Sequence, residues 1–242
     1  MSLPYRIDLA GGWLDQPFIS KIHPGPVIGI SIEPLTEFNT RGGMATSTRN
    51  KAKEVWRDNI PNGNSEKLAK MLFCYENPPG TDEFSGSQDA INMIMPGLKK
   101  LYYNNNYWPD YILSCNSEPI LKWLEERLYL ISVGSRKNGY NVFENKNISA
   151  HHVYNLSISS NACWESILNK DVLNFGKYMT ESFNHQVAMF PNMINDEIKS
   201  IIDKYKNKAL GWKISGAGGG GYVIFVSETP IENAIQIKIR RI

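Results

Sequence analysis

The stretch KISGAGGGGYVIF, residues Lys213–Phe225, places five glycines among six consecutive positions between two apolar, β-rich runs. Glycine costs backbone entropy inside helices and strands, so this density indicates positive φ angles or a backbone packed very close to another group. A bound phosphate or a neighbouring phosphate loop is the functional interpretation. A tight hairpin turn is the alternative, although a hairpin seldom needs more than about two glycines.

The composition limits the classes of function. The chain has 242 residues, 42% of them hydrophobic and 21% charged, with a net charge of +2. A balanced charge argues against nucleic acid as a partner, and the short apolar runs argue against a membrane span. Three widely spaced cysteines without a CxxC pair fit a reduced, cytoplasmic protein.

The spacing of apolar residues predicts strands and helices in mixed order. Strands are expected at residues 5–10, 26–32, 128–133, 211–215 and 222–226, with an edge strand in IQIKIRR (235–241). Helices are expected at residues 46–58, 65–76, 87–95, 118–126, 149–168, 171–187 and 195–206. Because strands and helices do not alternate strictly, the pattern favours an α+β fold.

A second glycine-containing segment, RGGMATSTRN (41–50), runs directly into a predicted helix. Free backbone N–H groups and the helix dipole favour an anion at that point. The hydroxyls of Thr46, Ser47 and Thr48 could add hydrogen bonds or reach Mg²⁺. The spacing is not that of a Walker loop, and a simple capped helix is the alternative interpretation.

The opening segment YRIDLAGGWLDQP (5–17) carries charged residues among apolar ones. Arg6 is suited to a planar, charge-assisted contact with phosphate or carboxylate, and Asp15 to accepting hydrogen bonds from hydroxyls. A surface salt bridge is the alternative for this segment and the preferred interpretation for Asp8.

Three further features carry charge or metal-binding groups. Asp89 lies in the first turn of a predicted helix in GSQDAIN, where it could orient or deprotonate a hydroxyl, or only complement the helix dipole. Arg136 follows a predicted strand and could contact a substrate phosphate or only solvent. His151 and His152 are adjacent, His185 stands apart, and their spacing does not suggest a metal site.

Four of these segments, in this order, resemble the motifs of the GHMP kinase superfamily, the kinases of galactose, homoserine, mevalonate and phosphomevalonate. PYRIDLAGGWLDQP resembles the first motif, in the variant of the fucose kinase and heptose phosphate kinase branch. GGMATSTRN resembles the second, phosphate-binding motif, and KISGAGGGGY the third. GSQDAIN resembles the segment with the catalytic aspartate of sugar kinases. The resemblance extends from Pro4 to Val226.

The resemblance implies a two-lobed α+β fold in which ATP and the substrate meet between the lobes. Residues 1–105 would form the N-terminal lobe with the phosphate loop and catalytic aspartate. Residues 106–242 would form a ferredoxin-like C-terminal lobe. Asp15 and Gly43 are only 28 residues apart, which implies a shortened N-terminal lobe.

The resemblance also implies a role for each matching residue. Asp89 and Arg6 would be catalytic. The nucleotide would be bound by Gly42, Gly43, Met44, Ala45, Thr46, Ser47 and Thr48. The substrate would be bound by Asp15, Trp13, Gly12, Gly218 and Gly219. Mg²⁺ would be held by Ser47 and Glu76, with Glu83 the next candidate, and the glycine run would pack against the first motif.

The expected function is ATP- and Mg²⁺-dependent transfer of the γ-phosphate to a hydroxyl of a sugar or sugar phosphate. The shortened lobe, and Ala45 where the family generally has Gly or Ser, leave a catalytically weak or inactive nucleotide- or sugar-binding relative as the alternative. The expected partner is a small sugar or sugar phosphate, without nucleic acid or membrane, and a homodimer is left open.

Overall fold

Two antiparallel sheets carry the fold in the computed structural model, which describes residues 3–35, 38, 44, 46–82 and 84–242. The strands are β1 (Tyr5–Ala10), β2 (Gly25–Ile32), β3 (Leu98–Tyr103), β4 (Tyr111–Cys115), β5 (Leu128–Val133), β6 (Gly211–Ile214), β7 (Gly221–Val226) and β8 (Ile235–Gln236). The helices are α1 (Pro17–Ser20), α2 (Thr46–Trp56), α3 (Ser65–Glu76), α4 (Ser87–Ile94), α5 (Glu118–Glu125), α6 (Ala150–Leu168), α7 (Val172–Met189) and α8 (Asp196–Tyr205). The predicted α+β class is confirmed.

The first sheet has the strand order β1-β2-β3-β4. Its register pairs Ile7 with Ile30 and Val27 with Leu101. Both faces of β1 and β2 are buried. Helices α4 and α6 pack against β2 and bury this part of the sheet.

The second sheet has the order β6-β7-β5-β8. Alternate side chains of its central strands point to two different cores, as the pleat of a strand requires. Leu130 and Ile224 join Ile7 and Ile28 of the first sheet in one apolar cluster, together with the inward faces of α6 and α7. This shared cluster holds the two sheets together.

The boundary expected after residue 105 lies in the connection between β3 and β4, which pair in one sheet. The change from the first sheet to the second comes instead between β4 and β5, in the segment that contains α5. We therefore keep a two-lobe division as a proposal, with its boundary in residues 116–127.

The segment IQIKIRR differs from the single edge strand expected for it. Only Ile235 and Gln236 form β8. The chain then crosses to the first sheet, where the Arg240 N–H donates to the Ser31 carbonyl at 2.8 Å and the Gly97 N–H donates to the Arg240 carbonyl at 2.9 Å. Residues 235–240, called the strap below, thus hydrogen-bond to both sheets.

No helix in residues 46–82 or in the other described ranges is both long and apolar enough to cross a membrane.

Candidate active site

A cavity of about 360 Å³ opens where the first motif, the start of α4 and the glycine run come together. Its walls are formed by Arg6, Asp8, Gly12, Trp13, Asp15, Gln16, Phe84, Ser85, Gly86, Gln88, Asp89, Arg136, Val142, Phe143, Gln186, Gly216 and Ala217. Sequence positions more than 200 apart thus line one space. Its volume is in the usual range for sites that hold small molecules.

Arg6 and Asp89 form a close ion pair in this cavity. The Arg6 Nε donates to Asp89 Oδ1 at 2.6 Å, and its Nη1 donates to Asp8 Oδ1 at 3.0 Å. Arg6 is 4% exposed and Asp89 is 22% exposed. Burial alone would lower the pKa of Arg6, but the charges of Asp89 and Asp8 outweigh it and raise that pKa. Arg6 is therefore a fixed cation, and Asp89 remains accessible from the cavity.

Asp8 joins the first motif to the third. The fully buried Lys213 donates to the Asp8 carbonyl at 2.6 Å and forms an ion pair with Asp8 Oδ2. The Gly216 N–H donates to Asp8 Oδ1 at 3.2 Å. The surface salt bridge expected for Asp8 is wrong, because the residue is only 2% exposed and its ion pairs are with the buried Arg6 and Lys213.

Asp15 lies on the other side of the cavity in an environment that disfavours its charge. It is 3% exposed, and the Gln88 Nε2 donates to its Oδ1 at 3.2 Å. Burial, together with the charge of Asp89, raises the pKa of Asp15 to about 7 against the opposing effect of Arg6. A Cβ at Gly86 would overlap the Asp15 carboxylate, so the glycine before α4 makes room for it.

Trp13 forms part of an aromatic wall. Its φ is +81°, in the left-handed region, and its ring stacks on Phe190 with 4.3 Å between ring centroids. The Trp13 Nε1 contacts the Met193 sulfur at 3.4 Å. The neighbouring Gly12 carbonyl accepts from Gln186 Nε2 at 2.8 Å. The first-motif turn is thus attached to α7, which fixes the indole in the cavity wall.

The glycine run has the positive φ angles that its composition indicates. Gly216, Gly218 and Gly219 have φ values of +63°, +75° and +74°. A Cβ at Gly218 would overlap the Met193 carbonyl, and one at Gly219 would overlap the Tyr140 ring. Gly216 and Ala217 line the cavity, whereas Gly218 and Gly219, the two expected substrate contacts, do not.

The second motif is only partly described. Gly42, Gly43 and Ala45 lie outside the described residues, as does Glu83. Met44 is buried in the apolar cluster shared by the two sheets, so its side chain faces the core. Thr46 begins α2.

Ser47 and Thr48 in the first turn of α2 both contact Glu76 at the end of α3. The Thr48 hydroxyl lies 2.8 and 3.0 Å from the two Glu76 carboxylate oxygens. Burial raises the pKa of Glu76 and the charge of Asp89 adds to this, while hydrogen bonds from the Thr48 and Ser47 hydroxyls oppose it. The two expected Mg²⁺ ligands, Ser47 and Glu76, are thus adjacent.

The chemistry of this donor set fits Mg²⁺. Mg²⁺ prefers oxygen ligands and commonly takes one or two carboxylates, with water and substrate phosphates completing its shell. Ser47 and Glu76 supply a hydroxyl and one carboxylate. Within the described ranges there is no group of three or more His, Cys, Asp or Glu side chains arranged to hold a metal ion.

Three histidines form a cluster that the sequence spacing does not reveal. The packing of α6 on α7 brings the Nδ1 atoms of His152 and His185 to 3.2 Å, with the His151 ring 5.2 Å from that of His152. Burial lowers the pKa of His185, and the two neighbouring imidazoles lower it further. None of these three histidines lines the cavity.

Several cavity residues have no signal in the sequence. Gln186 lies within α7, and Val142 and Phe143 lie in an irregular segment between β5 and α6. Each reaches the cavity through tertiary packing, so only a pattern shared among relatives would have revealed them.

Comparison with known proteins finds similar kinases. Residues 165–237 match the family model of the GHMP kinases C terminal domain. The bifunctional fucokinase/GDP-fucose pyrophosphorylase of Arabidopsis thaliana is 23% identical over 88% of this chain and 21% of its own length. The L-fucokinase/L-fucose-1-P guanylyltransferase of Bacteroides fragilis is 22% identical over 63% of this chain and 17% of its own length. The chain thus spans about a fifth of the length of these curated relatives.

Solved structures agree on the fold. A D-glycero-D-manno-heptose 1-phosphate kinase from Bacteroides thetaiotaomicron aligns with a TM-score of 0.60 and 14% identity, over 98% of this chain and 95% of that chain. The Lactococcus lactis galactokinase complexed with galactose aligns with a TM-score of 0.66 and 12% identity, over 94% of this chain and 84% of that chain.

These matches support the resemblance to the GHMP kinase superfamily: the family model matches residues 165–237, and the chain has the fold of solved kinases of this type. The fucokinases are similar to the chain in sequence, and the heptose phosphate kinase is similar in fold.

Proposed function

We propose that the protein is an ATP-dependent kinase that transfers the γ-phosphate to a hydroxyl of a sugar or sugar phosphate. The observation that carries the proposal is the Arg6–Asp89 pair, 2.6 Å apart, in a cavity lined by both the first and third motifs. The named activities of the relatives, which act on fucose, galactose and a heptose phosphate, support the sugar class.

Asp89 is the proposed group that acts on the acceptor. Its carboxylate orients the hydroxyl and takes its proton as the oxygen–phosphorus bond forms and the bond to the ADP oxygen breaks. Arg6 holds Asp89 through Nε, so the carboxylate has one fixed orientation. The guanidinium also supplies positive charge near the transferring group, where phosphoryl transfer depends on electrostatic stabilisation.

Asp15 and Trp13 are the proposed acceptor contacts. A buried carboxylate accepts hydrogen bonds from sugar hydroxyls, and the indole gives a flat apolar surface for a sugar ring. Gly12 lets the chain pass close to these groups, since a Cβ there would lie 2.6 Å from Gln186 Nε2.

Ser47 and Glu76 would hold Mg²⁺, and the backbone from Gly42 to Thr48 would bind the ATP phosphates. When bound, Mg²⁺ neutralises phosphate charge and aligns the γ-phosphate. Thr48 supports this arrangement by donating its hydroxyl to Glu76, which fixes the carboxylate beside Ser47.

Calorimetric titration of Mg·ATP, followed by an ADP-release screen over hexoses, fucose, heptose and their phosphates, tests the proposal. Binding with sugar-dependent ADP release supports a kinase. Binding without ADP release for any acceptor supports the inactive relative, which is favoured by the short connection between Ile32, where β2 ends, and Thr46, where α2 begins. If the protein shows neither ATP binding nor ADP release, both the kinase and the inactive relative are refuted.

A further inference from the structure

Arg136 occupies a defined position in the cavity wall. It follows β5, and its Nε donates to the Gly218 carbonyl at 2.8 Å. Its guanidinium carbon lies 5.3 Å from the centre of the Tyr140 ring, and the Tyr140 hydroxyl donates to the Ala217 carbonyl at 2.7 Å. Arg136 is exposed, and its bond to the glycine run orients the guanidinium.

The charges around the cavity leave Arg136 as a cation available to a ligand. Arg6 already binds Asp89 and Asp8, and Lys213 is fully buried against Asp8. Arg136 has no carboxylate within ion-pair distance among the residues that the structure describes. Its bond to Gly218 uses only Nε, so both terminal nitrogens can donate.

The position of Arg136 indicates which anion it would meet. The cavity is lined by Asp15 and Trp13, the proposed acceptor contacts. The described residues of the second motif, Met44 and residues 46–48, do not line it. An anion in this space therefore belongs to the acceptor more readily than to ATP. A guanidinium with two free terminal nitrogens matches the oxygens of a phosphate monoester.

We propose that Arg136 binds a phosphate group already present on the acceptor, so that the substrate is a phosphorylated sugar and not a neutral one. This proposal deepens the kinase function proposed above and rests on it. The acceptor would place its ring against Trp13, its reacting hydroxyl at Asp89 and its phosphate at Arg136. The cavity of about 360 Å³ is in the size range of small-ligand pockets that would hold a monosaccharide phosphate.

A binding experiment tests the proposal without turnover. Mannose, mannose 1-phosphate and mannose 6-phosphate are titrated into the full chain, without nucleotide, and fucose and fucose 1-phosphate form a second pair. At least one phosphate ester should bind about tenfold to a hundredfold more tightly than its parent sugar, as expected for a hydrogen-bonded charge pair. Arg136→Gln should abolish that difference.

Tyr140→Phe is the matched control. It removes the hydroxyl bond to the Ala217 carbonyl but keeps the ring beside the guanidinium, so the preference for the phosphate ester should persist. Arg136→Lys keeps the charge but not the planar fork, and should restore part of the preference. Thermal unfolding of each variant shows whether the fold is retained.

Three results would overturn the proposal. The wild-type protein could show no preference for phosphate esters, or Arg136→Gln could retain the preference. Tyr140→Phe could also lose it to the same extent as Arg136→Gln, which would mean that Arg136 only anchors the glycine run. Failure of the kinase function is distinguishable, because ADP release would be absent while the selective binding remained.

Discussion

Asp15 should contribute strongly to the pH dependence of stability. The carboxyl ionises at about 3.8 in the unfolded chain and at about 7 in the folded protein. Between these values the folded state holds a proton that the unfolded state has released, so stability falls as pH rises from about 4 to about 7. The shift of about three units, at about 1.36 kcal/mol per unit, corresponds to about 4 kcal/mol.

Replacing Asp15 by Asn should remove this loss. The amide is similar in size and uncharged, and it can hydrogen-bond Gln88, whose buried Oε1 has no hydrogen-bond partner among the described residues. We expect Asp15→Asn to match the wild type at pH 4 and to exceed its free energy of unfolding by up to about 4 kcal/mol at pH 8. Acceptor binding should weaken, because sugar hydroxyls lose a charged acceptor.

Denaturant unfolding at pH 4, 6 and 8, followed by tryptophan fluorescence, measures the effect. Asp58→Asn is the control, because Asp58 is exposed and the same substitution there should leave the pH profile unchanged. Equal free energies of unfolding for wild type and Asp15→Asn at pH 8 would refute the argument that burial raises the pKa of this carboxyl. So would a constant difference across the three pH values.

Three other changes give separate tests. Asp89→Asn should lower kcat by a factor of about 100 to 10,000 while the Kd of Mg·ATP, measured by calorimetry, changes little; unchanged kcat would remove the catalytic assignment. Gly218→Ala should lower the denaturation midpoint more than Gly139→Ala, since φ is +75° and +78° but only the first Cβ would overlap a backbone atom, the Met193 carbonyl; equal losses would contradict the close-packing argument. His185 has a pKa below its ordinary 6.5, so stability should fall as pH drops below about 6.5, and His185→Gln should flatten that decline in thermal unfolding scans.

Local patterns predicted the elements whose apolar residues follow a clear period. Strand β5 and helix α3 have the expected bounds, and the density of glycine after Ile214 predicted the positive φ values found there. These features depend on neighbouring residues, which is why sequence alone reveals them.

Strand β3 was not predicted, because its two lysines do not indicate a buried strand. Lys99 and Lys100 interrupt LKKLYY, yet Lys99 is fully buried. Its Nζ donates to the carbonyls of Met95, Pro96 and Gly97 at 2.6, 3.2 and 2.7 Å, so the chain leaving α4 supplies its hydrogen-bond acceptors. No sequence period signals a lysine that bonds backbone carbonyls in this way.

The candidate site was predicted at the level of motifs but not of their contacts. Arg6, Asp15 and Asp89 line one cavity, in keeping with the family resemblance. The bond from Lys213 to Asp8 joins residues 205 positions apart, and nothing in either segment identifies the other as its partner. Long-range ion pairs of this kind depend on the packing of whole sheets.

The strap has a consequence for the order of folding during synthesis. Ser31 and Gly97 emerge from the ribosome early, but the backbone of Arg240, which pairs with both, emerges much later. Until that point the Ser31 carbonyl and the Gly97 N–H remain available to water or to other chains. We expect nascent chains ending before residue 240 to be sensitive to protease and to bind chaperones, and this sensitivity should decline sharply once the strap has been made.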